Sequence, residues 1–259
     1  LEMTASDPVR SSTLGFMSSQ PRILLGIPVF NEAQYVADVL GEVRKYADDI
    51  LVIDDGSTDE TPLLLAAQQV EVIRHATNRG YGRSMQDMLR WAAFDGYDWL
   101  ITMDCDRQHE PAAIPIFRDA ISKDDSDVIS GSRYLRHEAD TDAPPADRRA
   151  INATMTAALN DRLGLQLTDA FCGFKAYRVA ACASLELDVD GYDFPMQFWV
   201  QASCRGLRMT ELPVRLIYND PSRCFGGPLS DATHRQAVYE ATLERAIRRC
   251  GVADHIVGV

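Results

Sequence analysis

No stretch of the 259-residue chain runs beyond about 11 residues without a charged side chain, and a helix that crosses a bilayer needs ~20 apolar residues in succession. No segment therefore reads as a membrane span. Basic charge is also scarce: 26 Lys and Arg stand against 38 Asp and Glu, for a formal net charge of -12. Without a general cationic surface to neutralise phosphates, nucleic acid is excluded as an expected partner. The six cysteines, Cys105, Cys172, Cys182, Cys204, Cys224 and Cys250, include no C-x-x-C pair. That absence argues against a zinc site or a disulfide framework and for reduced thiols in a cytoplasmic setting. Residues 1–20 lack the basic start and apolar core of a secretory signal. The expectation is a loose tail over 1–21, one domain over 22–250 and a short tail over 251–259, with nothing to set the oligomeric state.

With 46% of its residues hydrophobic, the chain can build an ordinary globular core. Residues 23–29 form an apolar run of buried-strand length, with Pro28 near its end. Apolar residues at 36, 39, 40, 43 and 47 then follow helical spacing. Strand-like 50–53 runs into Asp54-Asp55-Gly56-Ser57-Thr58-Asp59-Glu60. There Ser57 and Glu60 have the spacing of a capping box, so a helix is expected to start at that point. The alternation continues with strands at 70–74, 99–103 and 127–130 and helices at 83–94 and 111–122. This β-α-β-α order predicts an α/β fold with a mostly parallel sheet flanked by helices, and ligands beyond the carboxyl ends of the strands. Beyond residue 133 the pattern loosens. A charged loop is expected over 134–147, helices over 148–163, 193–205 and 232–249, and a strand over 209–218, while 168–177 is mixed.

Polar clusters stand at the predicted strand ends. Asp104 and Asp106 lie two residues apart, so in an extended stretch both carboxylates point to one side, and Gln108 follows two residues later. Oxygen donors in that pattern suit Mg2+ or Mn2+ with positions left for substrate phosphates. A solvated turn would look the same in isolation. Asp55 could accept hydrogen bonds from a nucleotide's base or ribose. In Asn78-Arg79-Gly80-Tyr81-Gly82 the glycines allow close backbone approach, and Arg79 or Arg83 could meet a phosphate.

Taken together and in order, Ile27-Pro28-Val29-Phe30-Asn31-Glu32, the 52–58 segment, 78–82, 104–108, Gly131-Ser132-Arg133-Tyr134 and Asp169-Ala170-Phe171-Cys172-Gly173-Phe174 resemble the family-two inverting glycosyltransferases of GT-A fold. Within that family they are most similar to the polyprenyl- or dolichyl-phosphate mannose synthase group. The resemblance, over about residues 22–225, implies a nucleoside-diphosphate sugar donor, GDP-mannose or a UDP-sugar, and a divalent cation. It places Pro28, Phe30, Asn31, Glu32, Asp54, Asp55, Arg79, Arg83 and Asp104 at the nucleotide. Asp104, Asp106 and Gln108 would be at the metal, and Arg133 and Arg223 at phosphate groups of donor or acceptor. Asp104, Asp106, Arg133 and Arg223 form the expected catalytic set.

The acceptor expected from the resemblance is polyprenyl or dolichyl phosphate, reached from the cytoplasmic face of a membrane. The chain departs from the group at Gln197, where glutamate is common. Glutamine cannot act as a general base. Three readings follow, in order: an anionic phosphate acceptor that needs no base, a base role for Asp193 or Asp169 toward a soluble sugar or protein hydroxyl, or a silent sugar-nucleotide-binding protein. Phe194, Phe198 and Trp199 could face a lipid or pack in the core. His109 is expected to be solvated.

Overall fold

The computed structural model describes residues 20–135, 142–218 and 227–251. Its strands are β1 (Ile23–Val29), β2 (Ile50–Asp54), β3 (Glu71–Arg74), β4 (Trp99–Thr102), β5 (Val128–Ser132), β6 (Lys175–Arg178) and β7 (Met209–Pro213). They form one sheet in the order β3-β2-β1-β4-β6-β5-β7. Pairing is parallel except at β6, which runs antiparallel to both β4 and β5. The mostly parallel sheet expected from the sequence is present. The direction of β6 was not legible, because Lys-Ala-Tyr-Arg reads alike in either orientation.

The central strands are buried on both sides, and their alternate residues serve two cores. Leu24, Leu51, Leu100 and Val128 face one side, against helices α3 (Tyr81–Phe94), α5 (Ala146–Leu163), α7 (Phe194–Cys204) and α8 (Ala232–Cys250). Leu25, Val52, Ile101 and Ile129 face the other, against α1 (Val36–Val43), α2 (Thr61–Ala66) and α4 (Ile114–Ser122). A short α6 (Val179–Cys182), not expected from the sequence, follows β6. The apolar stripe predicted at 36, 39, 40, 43 and 47 is buried throughout.

Two expectations are corrected. Helix α2 begins at Thr61 without a side-chain cap, so Ser57 and Glu60 form no capping box. The Ser57 hydroxyl instead accepts from the Asn31 backbone N–H at 2.9 Å, stitching the β1 and β2 loops together. The strand expected over 209–218 stops at Pro213, and within the charged loop 134–147 residues 136–141 lie outside the described ones. Among the described residues no helix is long and apolar enough to cross a membrane, and the five described cysteines are free thiols.

Phe117 of α4 is fully buried and stacks on Phe174 with ring centroids 4.5 Å apart. Phe117→Ala should lower stability by ~3–5 kcal/mol through lost burial and a cavity beneath the sheet. Urea denaturation measures this, and a loss under about 1 kcal/mol would contradict the packing.

Candidate active site

Strand β1 has β2 on one side and β4 on the other, so the chain leaves it in opposite directions. Such a reversal opens a crevice at the carboxyl ends of the strands. A cavity of about 310 Å3 lies there. Pro28, Phe30, Glu32, Asp55, Asp104, Asp106, Gln108 and Arg133 all line it. Residues expected at one site from four separate motifs are thus brought together in space.

Asp104 leaves β4 as the chain turns. Its backbone N–H donates to His109 Nδ1 at 3.0 Å, and Arg107 adopts a left-handed φ of 59°. The Gln108 N–H donates to Asp106 Oδ1 at 3.0 Å. The 104–106 segment is therefore a turn and not the extended stretch expected, although both carboxylates still face the cavity. His109 is buried, not solvated. Burial pushes its pKa down to about 4, against the opposing pull of Asp106, so the ring is neutral at physiological pH. With Nδ1 accepting, the proton sits on Nε2, which faces Cys172 Sγ at 3.9 Å. His109 thus serves as a buttress for the acidic turn.

The far side of Asp104 is set by Gly173. A Cβ there would lie 2.5 Å from Asp104 Oδ2 and 2.8 Å from Oδ1, so only glycine lets the carboxylate rest against that backbone. Thr102 holds the glycine by donating to its carbonyl at 2.8 Å. Two carboxylates and an amide oxygen form a hard donor set that suits Mg2+ or Mn2+. Among the described residues no three His, Cys, Asp or Glu side chains gather into a preformed cage. An ion held here would therefore take further oxygens from substrate and water.

Asp55 lines the cavity on the β2 side. Its carboxylate accepts from Arg79 N and Gly80 N, both at 2.8 Å, and faces His75 Nδ1 at 2.6 Å. Gly56, with φ of 75°, has no room for a side chain, since a Cβ would come within 2.4 Å of the Thr77 carbonyl carbon. The 77–80 loop therefore lies directly on the 54–57 turn.

Four expected nucleotide residues are not on the cavity wall. Asn31, at φ 56°, uses Oδ1 to accept from Thr58 N at 2.8 Å. Asp54 Oδ1 accepts from Ser57 N at 2.9 Å, while Oδ2 lies 3.2 Å from Arg74 Nε without an aligned hydrogen bond. Arg79 contributes its backbone N–H and keeps its side chain exposed. Arg83 is paired with Asp87 at 2.8 Å. Each shapes or flanks the loops under the cavity and none lines it. Arg223 lies outside the described residues.

Arg133 projects from the end of β5 and is held from behind. Its Nε and Nη2 donate to the two oxygens of Asp169 at 2.6 and 2.9 Å, and Asn152 Nδ2 adds a bond to Oδ1 at 2.8 Å. Asp169 is fully buried. Burial opposes its charge, but Arg133 outweighs burial and holds the carboxyl well below the usual carboxylate range. Asp169 is therefore a permanent counter-ion and not a base. Asp193 is likewise unsuited, since its Oδ2 accepts from the Thr242 hydroxyl at 2.6 Å away from the cavity wall.

Gln197 points away as well. Its Oε1 accepts from Asp188 N and Val189 N at 2.9 and 3.0 Å, and its Nε2 donates to Asp188 Oδ1 at 2.6 Å. Phe194, Phe198 and Trp199 are at most 2% exposed, which assigns them to the core. Sequence reasoning gave no role to Tyr81 and Tyr134, although both stand in motifs it singled out, and it missed Arg148, Arg235 and Tyr192, Tyr218 and Tyr239, which also line the cavity. The last five come from helices and loops remote in sequence, with no spacing to reveal them. Tyr81 and Tyr192 stack with centroids 5.9 Å apart. The Tyr218 hydroxyl is buried without a hydrogen-bond partner among the described residues.

Residues 25–185 match the family described as glycosyl transferase family 2, and the chain belongs to that family. It is 30% identical over 223 residues to an undecaprenyl-phosphate mannosyltransferase of Micrococcus luteus, covering 82% of this chain and 90% of the relative. It is 29% identical over 240 residues to a polyprenol monophosphomannose synthase of Mycolicibacterium smegmatis, with coverage of 87% and 90%. Among solved structures it resembles glucosyl-3-phosphoglycerate synthase of Mycobacterium tuberculosis in complex with Mn2+, UDP and glucosyl-3-phosphoglycerate. The TM-score is 0.67 at 20% identity, over 92% of this chain and 83% of that one. The fold is therefore GT-A.

Asp169→Asn should destabilise the protein by ~3–5 kcal/mol, because it leaves the Arg133 guanidinium buried beside an uncharged group. The depressed Asp169 carboxyl fixes the pH sign. Its stabilisation is present above about pH 4 and is lost only as the pH falls through the folded-state value, so parent and variant should converge in acid. Gln197→Glu should cost about 2 kcal/mol or more at neutral pH by setting a carboxylate against Asp188. That cost should shrink as the new carboxyl protonates, and pH-resolved chemical denaturation tests both variants.

Proposed function

We propose that this family 2 glycosyltransferase moves a hexose of mannose or glucose type, with inversion, from GDP-mannose or a UDP-sugar to polyprenyl or dolichyl phosphate. Residues 22–250 act as one catalytic domain in this reading. The observation that carries it is the fixed charge at the cavity's far wall. Arg133 is held there by Asp169, while the side chains at which a base was sought, Asp169, Asp193 and Gln197, all point elsewhere. A phosphate acceptor is already anionic at neutral pH, so it needs a cation to seat it and no base to deprotonate it. The names of the relatives from Micrococcus luteus and Mycolicibacterium smegmatis support an acceptor of this class.

On the donor side, Asp55 presents its carboxylate to the nucleotide from a loop that its own hydrogen bonds hold rigid. Asp104, Asp106 and Gln108 would hold Mg2+ or Mn2+, which supplies positive charge to the departing diphosphate as the sugar–phosphate bond breaks. Close contact with the Gly173 backbone sets the Asp104 carboxylate on one side, and the bond from Asp104 N to His109 Nδ1 fixes the backbone that carries it. Arg133 stays charged throughout the accessible pH range, and its two bonds to Asp169 prevent it from following the leaving group. A single in-line displacement from the face opposite the diphosphate inverts the anomeric carbon. The remote Arg148, together with Tyr134 and Tyr218 on the same wall, borders the acceptor side, and Arg223 is assigned to the same phosphate. With no membrane-crossing helix among the described residues, the lipid is reached by docking at the bilayer surface, on its cytoplasmic face.

The test incubates the protein with Mg2+ or Mn2+, labelled GDP-mannose or UDP-glucose, and short-chain polyprenyl phosphate. Label should enter the organic phase, EDTA should abolish transfer, and Asp106→Ala should reduce kcat by about 100-fold or more. The neutral polyprenol should not accept. Label confined to a water-soluble product would overturn the lipid acceptor, and nucleotide binding without turnover on any acceptor would overturn the transferase itself.

A further inference from the structure

Behind the cavity lies a charged chain that the reaction as described does not use. His75 ends the β3 edge of the sheet, its backbone N–H bonded to the Asp54 carbonyl at 2.9 Å, and its side chain is 7% exposed. The ring lies between two carboxylates from different elements. Nδ1 is 2.6 Å from Asp55 Oδ1, at the end of β2, and Nε2 is 3.1 Å from Asp87 Oδ2, on α3. Asp87 is itself paired with Arg83 Nε at 2.8 Å and Arg90 Nη1 at 2.9 Å. Burial works against the Asp87 charge, yet Arg83, Arg90 and His75 hold its carboxyl below the ordinary range. The Asp87 oxygen facing the imidazole therefore belongs to an anion, and the Asp55 oxygen on the other side is an acceptor, already taking the Arg79 N–H at 2.8 Å.

A neutral imidazole has one N–H and one lone pair. Placed here it would satisfy one carboxylate and turn its lone pair on the other, a repulsive contact at hydrogen-bond distance around a ring only 7% exposed. Only the imidazolium donates to both. We propose that His75 is a positioning residue of the nucleotide site, an imidazolium whose two N–H groups hold Asp55 at the cavity and tie it through Asp87 to helix α3.

The consequence for the ligand follows from counting acceptor positions. A carboxylate offers about four lone-pair positions. Arg79 N and His75 Nδ1 occupy Oδ1, and Gly80 N occupies one position on Oδ2. One position on Oδ2 is left for an N–H or O–H of the nucleotide, and its direction is set by the three bonds that fix the carboxylate plane. Without His75 the side chain keeps the two backbone donors but loses its charged one, and the carboxylate can tilt. His75 itself does not line the cavity, so its effect on a ligand must pass through Asp55.

This inference rests on the nucleotide lying in the cavity, and the experiment separates the two. Calorimetry with UDP and GDP, in the presence of Mn2+, compares the parent with His75→Gln and Asp87→Asn. His75→Gln should weaken binding of whichever nucleotide the parent takes by about tenfold, with KM for the sugar nucleotide rising by a similar factor and kcat changing less than about twofold. Asp87→Asn, which leaves every Asp55 contact in place, should weaken binding by about threefold. If His75→Gln fails to fold, the Asp87 variant still reports. Long-range proton–nitrogen NMR of the parent should show both His75 ring nitrogens protonated at neutral pH. A ring nitrogen without a proton, or unchanged affinity in both variants, would overturn the proposal. A parent that binds neither nucleotide would overturn the reading of the cavity together with this inference.

Discussion

The pairing of β1 with β4 ends at Gly26 and Thr102, while β1 continues beside β2 as far as Val29 and Asp54. From that asymmetry the crevice follows, because past Thr102 the chain no longer has a ladder to obey and turns away with Asp104 and Asp106. Pro28 falls in this stretch, where no β4 partner asks for the N–H it lacks. On the β2 side the strand ends bring Asp55 level with the tip of β1, through the bond from Asp55 N to the Val29 carbonyl at 2.8 Å. Asp55, Asp104 and Asp106 are therefore placed at the crevice by backbone geometry before any side-chain contact is made.

An acidic protein that handles anionic ligands must supply positive potential locally, since its net charge of -12 gives none at long range. Backbone N–H groups do part of this at the 79–80 loop. The rest falls to arginines whose own counter-ions are behind them: Arg133 on Asp169, and Arg235 on Asp147 at 2.7 Å and on the Leu229 carbonyl. Lys175 works one layer deeper. Burial lowers its pKa, and its ammonium donates to the Cys172 carbonyl, fixing the segment that carries Gly173 against Asp104. Buried ion pairs contribute little net stability in general, so their value here lies in direction: each cation is held by its own counter-ion and not by the acidic turn that lines the same cavity.

How much of this was legible depended on whether one residue or several carried the signal. Apolar runs such as Ile23–Val29 are visible because buried parallel strands need them, and the acidic and glycine-containing turns are visible because their residues must follow one another in sequence. Ser57 illustrates the opposite case. Its spacing to Glu60 fits a cap, yet the Asn31 backbone, 26 positions away in the chain, offered the better partner once β1 and β2 were paired. Asn152, which with Ala153 and Thr154 spells the Asn-x-Thr pattern of a glycosylation signal, is instead a buried side-chain donor to Asp169. His75, Arg148 and Arg235 carry no local pattern at all. Their roles come from helices and strand ends that meet only in the folded chain, and a single sequence holds no record of such meetings.

Gln197 shows why a departure from a family pattern must be read in its surroundings. Its amide is chosen by Asp188: an oxygen to accept from two backbone N–H groups and a nitrogen to donate to the carboxylate. A carboxylate in its place could do the first and not the second. The segment so held passes over the start of α3 at distances only glycine permits, since a Cβ on Gly80 would lie 2.3 Å from the Asp190 carbonyl oxygen and one on Gly82 2.2 Å from that of Val189. Gln86 then closes the contact from α3 by donating to the Val189 carbonyl at 3.0 Å. Through these bonds α7, the 188–192 segment and α3 form one rigid wall, and Tyr192 is delivered onto Tyr81 at the cavity mouth. The glutamine therefore acts on the shape of the site, from a distance at which it could never act on the chemistry.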